Sequence, residues 1–159
     1  MSCVVGGGKE LERLRRASAQ GRVDDVRALA NGLNVDCPGE CGRTPLHNAA
    51  NGVYEGSRML HGGTAEHLEV ITLLLDKGAD INLADEEGCT ALHMAVYWGH
   101  LEVTRLLLDK GADKTVAFGD GTRPVDMVCM EGGKANEAAI MELLCSPAEF
   151  QEWVGHCDA

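Results

Sequence analysis

Two cysteines and three histidines are the residues whose spacing first suggests chemistry. Cys37 and Cys41 flank Pro-Gly-Glu, and His47, His61 and His67 follow within reach in sequence. Thiolates and imidazoles bind Zn²⁺ well, but a structural zinc site usually needs a second closely spaced pair, and the sequence lacks one. Nothing places a general base beside either thiol, as a cysteine nucleophile would require. We therefore predict no metal site, and a thiol- or metal-responsive regulatory protein using Cys37 and Cys41 is kept as the alternative function.

The run Gly6-Gly7-Gly8-Lys9 resembles a phosphate-binding loop only superficially. Such a loop needs a Ser or Thr after the lysine and a longer strand before the glycines. Residues 1–8 are better interpreted as a flexible N-terminal arm. The sequence contains no Ser/His/Asp set, carboxylate pair or nucleotide-binding motif, so we predict no catalytic residues, no cofactor and no enzymatic activity.

Composition restricts the class of protein further. The 159 residues suffice for one domain with a core, and no run of about 18 apolar residues could cross a membrane. The N-terminus lacks the features of a secretory signal. Seven irregularly spaced cysteines then indicate reduced thiols. These features predict a protein of the cytoplasm or the nucleus.

Charge is distributed unevenly along the chain. The net charge is −11; residues 1–30 hold six basic and four acidic side chains, or +2, so the remainder carries −13. A chain this acidic repels the phosphates of nucleic acids. It favours instead a protein partner with a basic surface.

The strongest pattern is an internal repeat. LLLDKGAD occurs at 73–80 and again at 106–113, an offset of 33, and GCTALH at 88–93 corresponds to GTRPVD at 121–126 at the same offset. An earlier copy, GRTPLH at 42–47, lies 46 residues before GCTALH. Since 46 is 33 plus 13, one unit carries a 13-residue insertion.

Each unit has the pattern of two helices and a turn. Thr90 is a predicted N-cap, and it precedes an apolar stripe at helical spacing formed by Leu92, Ala95 and Val96. In the preceding unit Pro45 suits the first position of a helix. Gly78 and Gly111 suit the ends of the second helices, where a left-handed backbone is easiest.

With this period, the motifs G-x-T-P/A-L-H, G-H-x-E-V and L-L-L-x-x-G-A-D resemble the ankyrin repeat over about residues 9–145. The resemblance implies an all-α solenoid of stacked helix-turn-helix units with short β-turn fingers, acting as a scaffold for protein binding. It divides the chain into units at about 9–36, 37–82 with insertion 53–65, 83–115 and 116–145. The first and last units depart from the motif as solenoid caps do. The resemblance also implies that His47 and His93 form hydrogen bonds that tie one repeat's loop to the next.

Tyr97 and Trp98 end the first helix of the third unit, where consecutive residues cannot both join its apolar stripe. The resemblance places them on the concave surface, and aromatic side chains are preferred interface anchors. In the alternative, one ring packs against the neighbouring repeat near Asn51–Gly52 or Met130. The predicted partner-binding residues form an aromatic centre with mainly acidic surroundings: Tyr97, Trp98, Glu86, Glu87, Cys89, Glu40, Arg43, Asn51, Asp120, Met130 and Glu131.

Two further segments are individual to this chain. The insertion VYEGSRMLHGGTA (53–65) lies between the helices of the second unit, away from the turn tips, and offers Tyr54, Met59 and Leu60 as contacts. A long connection is usually functional or disordered, and neutral drift is an equal alternative. Residues 146–159 predict a short tail helix with a capping box at Ser146–Glu149. Its apolar face either covers the last repeat, which we favour, or docks on a partner.

These observations predict a non-enzymatic, monomeric interaction module: an adaptor, inhibitor or assembly factor. Its expected partner is another protein with a basic surface, and neither nucleic acid nor membrane. Binding is expected through the concave face and the turn tips.

Overall fold

The computed structural model describes residues 8–55, 58–61, 65–128 and 136–151, with the backbone alone between 53 and 61. The elements in chain order are α1 Gly8–Ala19, α2 Val23–Leu29, a 3₁₀ turn Glu40–Gly42, α3 Pro45–Asn51, β1 Gly52–Glu55, β2 Arg58–His61, α4 Ala65–Asp76, α5 Ala91–Tyr97, α6 Leu101–Asp109, α7 Pro124–Met127 and α8 Glu137–Leu144. Residues 147–151 are also helical. The predicted all-α solenoid is confirmed.

The helices begin and end at the residues that the sequence singles out. Thr44 and Thr90 are the N-caps of α3 and α5, and Pro45 occupies the first helical position. After α4 and α6, Gly78 and Gly111 adopt φ values of +88° and +93°. Glycine reaches this left-handed region without a Cβ clash, so both helices can end in a tight turn.

The helices form two layers. The inner layer runs from α1 through α3 and α5 to α7, each packing on the next, while α2, α4, α6 and α8 pack in the same order outside it. The core lies between the layers, and its largest fully buried aliphatic side chains include Leu14, Leu46, Ile71, Leu74, Leu92, Leu107 and Ile140. Burying each such side chain stabilises the fold by about 2 kcal/mol.

Successive turns between the units are joined by hydrogen bonds. The Glu86 N–H donates to the Cys41 carbonyl at 3.1 Å, and one repeat later the Gly119 N–H donates to the Glu87 carbonyl at the same distance. These bonds hold the turn tips in a row. Because these bonds join backbone atoms, side chains at the tips can be substituted without loss of the bonds.

The insertion forms an antiparallel β-hairpin between α3 and α4. Gly52 pairs with His61 and Glu55 with Arg58. The sequence predicts an insertion between these helices but no strands. The hairpin therefore adds a small two-stranded sheet to the otherwise helical chain.

The C-terminal residues close the last unit. Ser146 and Glu149 form the predicted capping box: the Ser146 N–H donates to Glu149 Oε2 at 2.8 Å, and the Glu149 N–H donates to Ser146 Oγ at 3.4 Å. Phe150 packs against the hydrophobic core. Phe150 therefore packs on the last repeat, which is the role favoured for the tail. The apolar residues Trp153 and Val154 lie outside the described residues. No helix within the described ranges has the length and apolarity needed to span a membrane.

The order of the helices gives four pairs, α1–α2, α3–α4, α5–α6 and α7–α8, in the described parts of the chain. The boundaries of arm, repeat domain and tail at 1–8, 9–145 and 146–159 stay predictions.

Candidate functional site

His47 joins the second unit to the third at the base of the turn tips. The Thr44 N–H donates to His47 Nδ1 at 3.2 Å, so the neutral ring carries its proton on Nε2. Nε2 lies 2.9 Å from the Cys89 carbonyl and donates to it. Burial lowers the pKa of His47, outweighing the hydrogen bond to Cys89 and the nearby Asp85 charge, which raise it. The predicted bond from one repeat's histidine to the next repeat's loop is confirmed here.

His93 occupies the equivalent position one unit later. The Thr90 N–H donates to its Nδ1 at 3.2 Å, and its ring meets that of Phe118 edge to face at a centroid distance of 6.0 Å. Burial lowers the pKa of His93. Its Nε2 is buried without a hydrogen-bond partner, so the predicted bond to the next loop is present at His47 and not at His93. Both histidines are thus buried beneath the turns.

A buried carboxylate shapes the turn of the third unit. Asp85 Oδ1 accepts from the Glu87 N–H at 3.0 Å and the Cys89 N–H at 2.9 Å. Its Oδ2 lies 3.5 Å from Arg43 Nε, and the Asp85 side chain is 1% exposed against 39% for Arg43. Arg43, a predicted contact residue, is therefore partly engaged within the protein. The Asp85 interactions fix the turn that carries Glu86 and Glu87.

The predicted acidic strip is present along the row of tips. Glu40, Glu86, Glu87 and Asp120 are all exposed. The Thr122 N–H donates to Asp120 Oδ1 at 2.9 Å, and hydrogen bonding with Thr122 lowers the pKa of this carboxyl. We refer to these four carboxylates together as the tip strip.

Cys89 is not part of the exposed surface that the sequence predicts. It is only 5% exposed, because the turn organised by Asp85 directs this position inward. Burial first, and then the Asp85 charge, raise the pKa of its thiol to about 12. A neutral, buried thiol is a poor nucleophile and metal ligand.

Tyr97 and Trp98 lie together at the end of α5. Their rings pack edge to face with centroids 5.1 Å apart, and both residues are half-buried. Trp98 Nε1 donates to Asn51 Oδ1 at 2.6 Å, across to the end of α3. The structure thus brings three predicted site residues together, and the alternative of a ring contact near Asn51–Gly52 applies to Trp98.

The remaining predicted contacts are not all described. Met130 and Glu131 lie outside the described residues. Tyr54 falls on β1, and Met59 and Leu60 on β2, but their side chains are not among those described.

The two cysteines of the alternative function have different surroundings. Cys37 is buried and Cys41 is exposed on the 3₁₀ turn, with φ at +59°. Within residues 8–55, 58–61, 65–128 and 136–151, no three His, Cys, Asp or Glu side chains are grouped to hold a metal ion.

Two side chains have structural roles that the sequence pattern does not predict. Asp85 lies outside the motifs quoted above, yet its buried carboxylate organises the turn of the third unit. Asn82 Oδ1 accepts from the Asp113 N–H at 2.8 Å, as Asp36 Oδ1 accepts from the Asp80 N–H at 3.0 Å. The signal was available, because Asp36 and Asn82 are 46 residues apart, the same offset as GRTPLH and GCTALH.

Comparisons with known proteins agree with this architecture. A family model described as ankyrin repeats matches residues 14–118 in three copies. The chain is also similar over 90 residues to Notch-regulated ankyrin repeat-containing proteins: 32% identical to that of Xenopus tropicalis, 42% to that of Xenopus laevis and 31% to that of Homo sapiens. Each alignment covers 54% of this chain and 68% of the relative. The helices α7 and α8 lie beyond the matched residues.

Proposed function

The chain belongs to the ankyrin-repeat family, and on this premise we propose that it is an adaptor, inhibitor or assembly factor that holds one protein partner. Ankyrin repeats generally mediate protein–protein interaction, and the family is typically non-enzymatic. The proposed binding surface comprises the tip strip and the inner helices α3 and α5.

One observation carries the proposal: exposed side chains stand on a support that is fixed by backbone hydrogen bonds and buried groups. The tips that bear Glu86 and Glu87 are held by hydrogen bonds to neighbouring turns and by Asp85. A fixed support loses little conformational entropy when a partner binds, so affinity depends on the side chains presented. The half-buried rings of Tyr97 and Trp98 supply the apolar area that interface centres require.

Charge supports a basic partner surface. The chain carries −11, and the tip strip concentrates four exposed carboxylates along one edge. Such a strip accelerates association with a basic protein and repels nucleic acid. We propose a monomer that acts in the cytoplasm or nucleus, where the seven cysteines can stay reduced.

The test is affinity capture from the source cell's lysate, with wild type beside Tyr97→Ala/Trp98→Ala, followed by titration of the captured protein. We expect the double variant to weaken binding by over about 2 kcal/mol, or roughly 30-fold, with its fold retained. Arg105→Ala is the matched control, because Arg105 is exposed on the outer helix α6. A second arm, Glu86→Lys/Glu87→Lys, should slow association with a basic partner, most strongly at low salt.

Three outcomes of the capture experiment distinguish the possible roles of this surface. A protein retained by wild type and Arg105→Ala but lost by the double alanine variant would support the concave surface. Reduced thermal stability with unchanged affinity would assign the rings to the core. Equal capture by all variants, including the charge reversal, would refute binding through this surface.

A further inference from the structure

The helix α1 differs in charge from the other helices of the solenoid. It carries four basic and two acidic side chains, a net charge of +2. Every other helix within the described ranges is neutral or negative, and α4 carries three acidic and no basic side chains. A chain with a net charge of −11 therefore presents one helix of the opposite sign in this part of its structure.

Three of the four cations share the exposed face of α1. Lys9, Arg13 and Arg16 follow the spacing i, i+4 and i+7, which places them on one side of a helix, and all three are exposed. The opposite side carries the buried Leu11 and Leu14. Because a helix rises about 1.5 Å per residue, the three charges lie within about 10 Å along its axis. We refer to these three residues as the α1 stripe.

The fourth cation of α1 is engaged within the protein. Arg15 is half-buried, and its guanidinium lies so close to Gly39 that a Cβ at this glycine would clash with it. Arg15 thus packs on the turn between the first and second units. It is therefore not part of the α1 stripe.

The α1 stripe has no carboxylate partner among the described residues. None of its three side chains forms an ion pair, and neither do the two glutamates of α1. On α2, Asp24 pairs with Arg27 and Asp25 with Arg22, each at 3.6 Å. Residues 1–7 contain no Asp or Glu. The stripe is thus available to a carboxylate from another molecule.

Helix stability does not account for the α1 stripe. A cation in the first turn, where Lys9 lies, is unfavourable next to the positive end of the helix dipole. Lys9 and Arg13 are like charges four residues apart, and Arg13 and Arg16 three apart, and such pairs destabilise a helix slightly. Only Arg16, in the last turn, is favourably placed. An anionic ligand along the stripe would relieve this repulsion, which adds to its binding.

The size of the stripe favours a short ligand with carboxylates. Arginine binds a carboxylate through two parallel N–H donors, so Arg13 and Arg16 can each hold one. A segment of a protein can match a stripe of about 10 Å. Nucleic acids and membranes extend far beyond it and meet the acidic remainder of the chain. At physiological salt, exposed charges are screened beyond about 8 Å, so a short acidic segment interacts mainly with the local cations.

We propose that the α1 stripe binds a short acidic segment of a protein, with carboxylates paired to Arg13, Arg16 and Lys9. This surface is separate from the tip strip, whose proposed ligand is basic, and from Tyr97 and Trp98. It goes beyond the proposed function, and either surface can fail its test without affecting the other.

The experiment uses the full chain, labelled for nuclear magnetic resonance, at physiological salt, and a short synthetic peptide of glutamate and alanine. A peptide with glutamine in place of glutamate is the control. Inorganic phosphate and vesicles of anionic lipid are tested in parallel as other anions. We expect the glutamate peptide to shift the amide signals of 9–16 and the side-chain N–H signals of Arg13 and Arg16. The glutamine peptide should not bind, and added salt should weaken the glutamate peptide.

Charge-reversal variants test the stripe itself. Arg13→Glu/Arg16→Glu should weaken the glutamate peptide at least about ten-fold, because two attractive pairs become repulsive. Arg13→Lys/Arg16→Lys keeps both charges and should retain most of the affinity. Arg105→Glu/Lys110→Glu is the matched control, since it changes the net charge equally at two exposed positions of α6 and its C-cap. Thermal unfolding of each variant checks that the solenoid is intact.

Several results would overturn the proposal. Shifts outside α1, or equal weakening by the reversal at α6, would show that the peptide does not use the stripe. Equal responses to phosphate or to vesicles would assign the stripe to anions in general or to a lipid surface. Shifts of 9–16 that grow with protein concentration in the absence of peptide would assign it to a second copy of the chain. Silence of α1 towards the glutamate peptide would refute this ligand.

Discussion

The two ends of the inner helices α3 and α5 differ in how they are held. At the N-terminal end, Thr44 and Thr90 are the N-caps, and each donates its backbone N–H to Nδ1 of the histidine three residues later, His47 or His93. Equivalent backbone bonds join the tips. At the C-terminal end, a side-chain bond that the repeat does not supply links Trp98 to Asn51, and a hairpin follows.

The two ends therefore have different roles: the N-terminal end stabilises the stacking of units, and the C-terminal end carries side chains that the repeat does not share. Groups at the N-terminal end are buried and repeat with the motif, so a change there affects the stacking of units. Groups at the C-terminal end are half-buried and unrepeated, so a change there affects what this chain presents to a partner. The tip strip combines both, since its backbone follows the repeat while its carboxylates are exposed.

Removing a buried support should break the N-terminal end most severely. His47→Ala deletes a ring that is 1% exposed and leaves the Cys89 carbonyl without its donor. We expect a loss of about 4 kcal/mol in the free energy of unfolding, from the cavity and the unsatisfied carbonyl together. Urea denaturation measures it, with Trp98→Phe as the contrast, expected to cost under about 1 kcal/mol. Similar losses for the two variants would remove the distinction between the ends.

Substitutions at two glycines distinguish the cost of backbone strain from the cost of a steric clash between neighbouring tips. Gly42 and Gly78 both have positive φ, but a Cβ at Gly42 would lie 2.8 Å from the Glu86 nitrogen, whereas one at Gly78 meets nothing within 4 Å. Gly78→Ala should cost about 1 kcal/mol from strain alone. Gly42→Ala should cost about 2 kcal/mol more, because backbone atoms of the next tip must move. Equal costs, measured by thermal unfolding, would mean that the tip-to-tip contact adds no stability.

Acid should gradually reduce the stability that His47 contributes at the N-terminal end. The pKa of His47 is lowered in the folded chain from its ordinary value of 6.5, so the unfolded chain binds the proton first as pH falls. The stability from neutral His47 is therefore present above pH 6.5 and decreases below it. We expect the free energy of unfolding, measured between about pH 7 and pH 5, to fall less steeply in His47→Gln than in wild type. Parallel slopes would show that this histidine does not control the pH response.

Much of the fold was predictable because repetition amplifies weak signals. A single Thr or Gly is poor evidence for a helix end, but Gly78 recurs as Gly111 after 33 residues, and Thr44 recurs as Thr90 after 46, which is 33 plus the 13-residue insertion. The acidic strip was predictable for the same reason, since the motif fixes which positions lie at the tips. Cys89 is difficult to place from sequence because exposed Glu87 lies two residues before it and buried Thr90 directly after it, and only the bond to Asp85 shows which way it turns.

The hairpin was not predictable as strands. Its apolar residues come in adjacent pairs, Val53-Tyr54 and Met59-Leu60, without the alternation that indicates a half-buried strand. Pairing across the insertion brings Val53 opposite Leu60, and the apolar spacing along either strand gives no sign of this register.

The sequence by itself determined the repeat, the helix ends, the two-layer solenoid and the acidic character of the tips. The repeat and the helix ends follow from local conformational preferences and apolar spacing along the chain, while the solenoid and the position of its tips follow from the resemblance of the repeat to ankyrin. The tertiary structure alone decided which side chains support the turns and which are exposed to a partner. Asp85 turned inward, Cys89 became buried, and Trp98 reached 47 residues back along the chain to Asn51, because burial and hydrogen-bond partners depend on the packing of units that are distant in sequence.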